Sequence, residues 1–286
     1  MAKEYLVFDV GGTTIKYGLL SQDLKLHDCQ RCSTEHNHNG HILAQLKRLS
    51  AAYQQNHELA GIGVSTAGIV GADGGIQYAG PTIADYQGTP IKAALKAQTQ
   101  LPVSVVNDVD AALLGEQLAG SVQKADAVYC VALGTGIGGA YLNQGQLLNG
   151  AHATANSLGY TLFDVKTQTN YEQRASTLAL EATLKPLKIS VPEAFARARQ
   201  GEAAYLNVIK AWAAQVAAGL AQIMLLFDPE VLLIGGAVSQ QGDFLLTLLK
   251  QQLKPILPPN LCQTQLKVAT LADKAQLYGA AAGLIN

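Results

Sequence analysis

Two stretches far apart in this chain follow one plan: an apolar run, a glycine-rich turn, then a second apolar run with no helix between them. The first reads Tyr5-Leu-Val-Phe-Asp9-Val-Gly11-Gly12-Thr13-Thr14-Ile-Lys16-Tyr-Gly-Leu-Leu20. The second reads Val128-Tyr-Cys-Val-Ala-Leu-Gly134-Thr135-Gly136-Ile-Gly138-Gly139-Ala-Tyr-Leu142. Glycine reaches φ > 0 freely and has no side chain to hold an anion away, so such a turn can point several backbone N–H groups at one spot. Two of them suit the two ends of one polyphosphate.

Hydrophobic periodicity predicts strands over 5–10, 15–20 and 26–32, a helix over 42–53, a strand over 62–65, a helix over 90–98, a strand over 103–106 and a helix over 111–119. From Ala127 the pattern restarts with two strands around the second turn. Helices follow over 172–184 and 192–199, then a long one over 203–227 that stops at Asp228-Pro229, where proline cannot continue it. A strand over 231–234, a helix over 244–253, a strand over 266–270 and a final helix over about 274–286 complete the reading. The fold class is α/β in two related halves. The smaller lobe is placed at 1–107, with the final helix able to pack back on it, and the larger at 108–286.

Other classes are disfavoured. A net charge of −1 offers no electrostatic footprint for nucleic acid or an anionic membrane surface. The N-terminus runs into a strand without a basic segment or cleavage site, so a cytoplasmic protein is expected. The longest apolar stretch, 203–227, is interrupted by Asn207, Lys210, Gln215 and Gln222 and reads as a buried helix. Four cysteines fit a reducing compartment. Cys29 and Cys32 followed by His36, His38 and His41 could suggest a metal, but their irregular spacing in an Asn/Gly-rich segment reads as an exposed turn.

The second turn formally matches G-x-G-x-x-G, which marks a dinucleotide site only where it opens a helix. Here a strand follows, and neither turn carries a P-loop lysine. A pair of ordinary hairpins would also use glycine, yet would leave Asp9 unexplained inside an apolar strand. A strand-end carboxylate beside donor-rich turns suits a hydrated Mg²⁺ that bridges to phosphate oxygens. Asn107-Asp108, ending a strand before a helix, is either an N-cap or the carboxylate a phosphotransferase needs to orient and deprotonate its acceptor. Gly235-Gly236 either admits a flat nucleoside or makes a tight strand-to-helix connection.

On these residues the chain resembles the ROK family of sugar kinases and sugar-responsive repressors, within the actin/hexokinase superfamily. The resemblance runs through Asp9-Val-Gly-Gly-Thr-Thr14, Val64-Ser-Thr-Ala-Gly68, Asn107-Asp108, Leu133-Gly-Thr-Gly-Ile-Gly-Gly139, Leu233-Ile-Gly-Gly236 and Leu277-Tyr-Gly-Ala280. It implies two ribonuclease-H-like lobes with ATP and sugar in a cleft. Carried over, Asp9, Gly11, Gly12, Thr13, Thr14 and Lys16 with Gly134, Thr135, Gly136 and Gly138 hold the ATP phosphates, Asp9 holds Mg²⁺ through water, and Gly235 and Gly236 take the adenosine side. Asn107 and Asp108 bind the sugar, Asp108 as base, with Gly68 on the sugar-side loop. A homodimer is implied as well.

Three departures stand out. Where family kinases carry Glu-x-Gly-His against the sugar, this chain has Ser157-Leu-Gly159-Tyr160, a pattern like that of some β-glucoside kinases at the tyrosine. The zinc-motif cysteines are replaced by residues 163–170, so no structural zinc is expected. Pro81-Thr82 stands where an asparagine often lies near the sugar. Glu172 does keep the family's other sugar-contacting place, unless it is a solvated carboxylate in a first helical turn. Only four residues precede the first strand, so no DNA-binding module is expected and an enzyme is favoured. The leading expectation is an ATP-dependent kinase acting on the 6-hydroxyl of a hexose, an N-acetylhexosamine or a β-glucoside. The alternatives are a catalytically weak sugar- or nucleotide-sensing protein and an actin-like scaffold.

Overall fold

A computed structural model describes residues 3–80 and 83–285, so Pro81 and Thr82 lie outside the described residues. The chain divides into two compact units, residues 1–123 with 149–155 and 273–286, and residues 124–148 with 156–272.

The first unit opens with β1 (Glu4–Val10), β2 (Thr14–Ser21) and β3 (Leu26–Ser33), then α1 (His41–Asn56) and β4 (Leu59–Thr66). A small hairpin, β5 (Ile69–Val70) with β6 (Ile76–Tyr78), precedes α2 (Ile91–Thr99), β7 (Val103–Asn107) and α3 (Asp108–Ala119). The second unit holds β8 (Ala127–Leu133), β9 (Ile137–Asn143) and β10 (Gln146–Leu147). Its helices are α4 (Tyr171–Ala175), α5 (Thr177–Leu184), α6 (Val191–Arg199) and α7 (Ala203–Phe227), followed by β11 (Val231–Gly235), α8 (Gly242–Leu253) and β12 (Gln265–Val268). Last comes α9 (Ala275–Ala280), which belongs to the first unit.

The repeat seen in sequence is a repeat of topology. The sheet orders are β3-β2-β1-β4-β7 and β10-β9-β8-β11-β12, the same third-second-first-fourth-fifth plan. In both, the first three strands are antiparallel and the next two add in parallel.

Strand period decides where Asp9 points. Leu6, Phe8 and Val10 of β1 join Ile15, Tyr17 and Leu19 of β2 in one core, while Tyr5 and Val7 pack with Leu277, Ala280 and Ala281 around α9. Asp9 therefore continues the row of Tyr5 and Val7, on the α9 side. Small residues let α9 come close on that side: a Cβ at Gly63 would strike the Ala280 backbone, one at Gly279 the Ala111 carbonyl, and one at Gly115 the Ala275 carbonyl.

Three details depart from the periodicity reading. The helix expected over 172–184 is two helices, because Ser176 sits extended at φ −66°, ψ 163° and caps α5 through Ala179 N–H. Trp212 of α7 compensates the break, its Nε1 donating to the Ala175 and Ser176 carbonyls at 2.9 and 3.1 Å. The segment before α1 is not wholly an exposed turn, since Asn37 is 2% exposed, donates to Ala84 O and accepts from Ile42 N–H. Finally, α9 is shorter than the helix expected over 274–286. The long α7 would meet the length and apolarity of a membrane span, but 56% of its most apolar window is buried.

Candidate active site

In the first unit, strand register gathers the charged residues. Asp9 pairs with Lys16 across β1 and β2, and with Ser65 across β1 and β4. Ser65 Oγ donates to Asp9 Oδ1 at 3.1 Å, and Lys16 Nζ lies 3.9 Å from Asp9 Oδ2. Lys16 also reaches Asp273, 3.6 Å from its Oδ2, and donates to its carbonyl at 3.3 Å. Burial raises the Asp9 pKa, with Lys16 and Ser65 pulling it back down.

At the N-terminus of α3, the cap falls to the first residue of the Asn107-Asp108 pair. Asn107 is the N-cap: its Oδ1 accepts from Val109 and Asp110 N–H, and its Nδ2 donates to Gly68 O at 2.8 Å. Gly68, at φ +95°, is in the left-handed region, and a Cβ there would press on the Tyr78 carbonyl. With the cap supplied by its neighbour, Asp108 begins the helix, and its Oδ1 accepts from Val109 N–H at 3.0 Å. Burial, then the like charge of Asp9, pushes its pKa up to about 6, against the hydrogen bonds from Val109 and Asn107. A carboxyl so placed is ionised at neutral pH yet basic enough to take a proton.

Asp110, two residues on, was not singled out by the sequence. It is 8% exposed, accepts from Asn149 Nδ2 at 3.1 Å, and is also pushed up to about 6 by burial. Asp110, Asn107, Asn149, Gln77 and His152 help line a cavity of about 430 Å³ beside the free edge of β7. In the sequence Asp110 was indistinguishable from an ordinary first-turn acid.

Of the glycines in the phosphate-type turns, Gly136 is crowded by a neighbour, Glu172 Oε2, whereas a Cβ at Gly134 would meet nothing. Gly11, Gly134 and Gly136 do not adopt left-handed φ. The Gly11 and Gly134 amides close their own turns, onto Thr14 O and Gly136 O. The first turn is pinned to β3 by Thr34, whose N–H donates to Thr13 O and whose Oγ1 donates to Gly12 O. In the second unit, Thr177 and Leu178 N–H donate to Gly134 O, Thr177 Oγ1 donates to Leu133 O, and Glu172 Oε2 accepts from Ile137 N–H at 3.2 Å. The break in the helix thus presents α4 and α5 to one turn. Thr13 and Thr135 are exposed at the two turn tips, and Gly138 lies on β9.

The remaining positions fall as follows. Gly236, at φ +88°, packs so tightly on Leu133 that a Cβ would overlap its carbonyl, and Gly235 ends β11. Ser157 precedes a 3₁₀ turn, Leu158–Tyr160, and both it and Tyr160 are exposed. Among the described residues no group of three or more His, Cys, Asp or Glu side chains is arranged to hold a metal ion.

The chain is similar to known proteins over nearly its whole length. The sequence pattern of the ROK family matches residues 5–285. A β-glucoside kinase of Listeria monocytogenes is 30% identical over 285 residues, 96% of this chain and 94% of that one. A glucokinase of Halalkalibacterium halodurans is 28% identical over 308 residues, covering 96% and 93%. Among solved structures, a ROK family glucokinase from Streptomyces griseus in complex with glucose and AMPPNP superposes with a TM-score of 0.80 at 28% identity, covering 97% of this chain and 98% of that one. By its sequence over nearly its whole length and by its two like-ordered sheets, the chain belongs to the ROK family.

Proposed function

We propose that this chain is an ATP- and Mg²⁺-dependent kinase that transfers the γ-phosphoryl group to the 6-hydroxyl of a hexose, an N-acetylhexosamine or a β-glucoside. The observation that carries the reading is the pairing within one unit of two unlike carboxyls, Asp9 held by Lys16 and Ser65, and Asp108 held at a helix N-terminus with a raised pKa. Their environments suit different work: Asp9 faces cations, and Asp108 is free to exchange a proton. The names of the glucokinase and β-glucoside kinase relatives support the same class.

In this reading Asp108 accepts the proton of the acceptor hydroxyl, worth roughly 10²–10⁴-fold in rate. Asn107, locked between α3 and Gly68, fixes the carboxyl that follows it. Gly12, Thr13 and Thr14 of the first turn, with Thr135, Gly136 and Gly138 of the second, are proposed to hold the phosphates, Lys16 to balance their charge, and Gly235 and Gly236 to take the adenosine side. One carboxylate with adjacent hydroxyls is a donor set that fits Mg²⁺ held largely through water, and Asp9 is its proposed holder. When bound, the ion would neutralise phosphate charge. Gly68, Ser157, Tyr160 and Glu172 are proposed on the acceptor side. A homodimer in the cytoplasm belongs to the same proposal.

A coupled assay for ADP release over glucose, mannose, fructose, N-acetylmannosamine, N-acetylglucosamine and a β-glucoside tests it. Sugar-dependent release with at least one of them is expected. Release indifferent to every sugar would overturn the kinase reading.

A further inference from the structure

Glu172 is the second residue of α4, a helix held in place by its own capping box between Asn170 and Gln173. Its carboxylate turns inward, where Oε2 meets Ile137 N–H at the start of β9. That oxygen also lies against two glycines: a Cβ at Gly136 would come to 2.6 Å from it, and a Cβ at Gly159 would overlap it. Neither glycine adopts left-handed φ, so backbone conformation does not demand glycine at these positions. At Gly136 the crowding neighbour is the carboxylate, and at Gly159 it is the carboxylate together with the Ile137 carbonyl, 2.7 Å from such a Cβ.

The two glycines belong to different pieces of the proposed machinery. Gly136 is in the second glycine turn, and Gly159 is in the 3₁₀ turn beside Ser157 and Tyr160. On the far side of the glycine turn, α5 holds the Leu133 and Gly134 carbonyls through Thr177 and Leu178. Fixing the carbonyls at one end and the Ile137 amide at the other leaves Thr135 and Gly136 as the tip between two anchors. We infer that Glu172 is a positioning residue, whose Oε2 sets the phosphate-type turn and residues 157–160 in one register, so that nucleotide affinity depends on it without its touching the nucleotide. The inference rests on the phosphate reading of the second turn.

The chemistry separates this role from that of a sugar contact. Glutamine keeps an oxygen that can accept from Ile137 N–H and loses only the charge. Alanine loses the acceptor and opens a gap between Gly136 and Gly159. Binding of a non-hydrolysable ATP analogue with Mg²⁺ is measured by calorimetry, without sugar, for wild type, Glu172→Gln and Glu172→Ala, with thermal melts alongside. The expected result is about tenfold weaker nucleotide binding in Glu172→Ala, the scale of one hydrogen bond to a charged group, with Glu172→Gln within about twofold of wild type. Should Glu172→Ala not fold, Glu172→Asp, too short to reach Ile137 in the same pose, is expected to show the same weakening. Wild-type nucleotide affinity in the alanine variant, or equal losses in the glutamine and alanine variants, would overturn the inference while leaving the kinase reading intact. A wild-type protein that bound no nucleotide would instead remove the phosphate reading, and the inference with it.

Discussion

Replacing Asp110 by asparagine should stabilise this protein, by a gain that grows between about pH 4 and pH 6 and is full above that. The Asp110 carboxyl is 8% exposed and pushed up to about 6, chiefly by burial, against the pull of Asn149 and with a further push from Asp108. An unfolded aspartate titrates near 3.9. Between about pH 4 and pH 6 the native state therefore keeps a proton that the unfolded chain has released. Stability falls as the pH rises through that window, and the loss is complete above about 6. Roughly two pKa units at about 1.4 kcal/mol each amount to nearly 3 kcal/mol. Asparagine removes the ionisation and retains an oxygen for Asn149 Nδ2, so most of that amount should be recovered at pH 8, about 2 kcal/mol, and none at pH 4. On the scale of a few degrees per kcal/mol, the melting temperature should rise by about 5 °C at pH 8. Thermal melts of both proteins at pH 4, 6 and 8 read this directly. An equal gain at all three pH values would mean that packing, not charge, is responsible, and no gain at pH 8 would refute the buried-carboxylate argument.

Other expectations follow from the same structure. Turnover at low sugar should fall about tenfold per pH unit below about pH 6 as Asp108 takes up its proton, and a profile flat to pH 5 would contradict its assignment as base. Asn37→Ala removes a buried side chain that both accepts from Ile42 N–H in the first turn of α1 and holds the Ala84 carbonyl, and urea unfolding should show a loss of about 2 kcal/mol. Trp212→Phe removes the indole donor from the Ala175 carbonyl, while the Ser176 carbonyl keeps Leu180 N–H, so a loss of about 1–3 kcal/mol is expected, with faster hydrogen exchange around residue 176 than in α7.

What could be read from the sequence was whatever local chemistry decides. The strand–turn–strand pairs, the stop at Asp228-Pro229 and the strand ending at Asn107 come from alternation, glycine and proline, and the structure shows all of them. The break at Ser176 carries only a weak local signal, a Ser176-Thr177 pair of N-cap type inside an otherwise helix-forming run. It is supported from a distance, by Trp212 donating to the Ala175 carbonyl and by the glycine turn engaging both α4 and α5. Asn37 looked like loop composition, since nothing local announces that its amide will be buried against Ala84. At Gly136 the structure adds a reason for glycine that the sequence does not show, a neighbouring carboxylate from α4, with φ ordinary. Asp110 escaped notice because its character comes from burial, which nothing local announces, and its partner Asn149 lies on a segment that returns from beyond β10.

The most direct test of the central claim is sugar-dependent ADP release at pH 7.5 by wild type and Asp108→Asn, with nucleotide affinity measured on the same preparations. Asparagine matches the carboxyl in size and can accept from Val109 N–H, but it cannot take a proton. The structure predicts a fall in kcat of about 10²–10⁴-fold with nucleotide affinity within about twofold. An Asp108→Asn protein that turns over at the wild-type rate would contradict it.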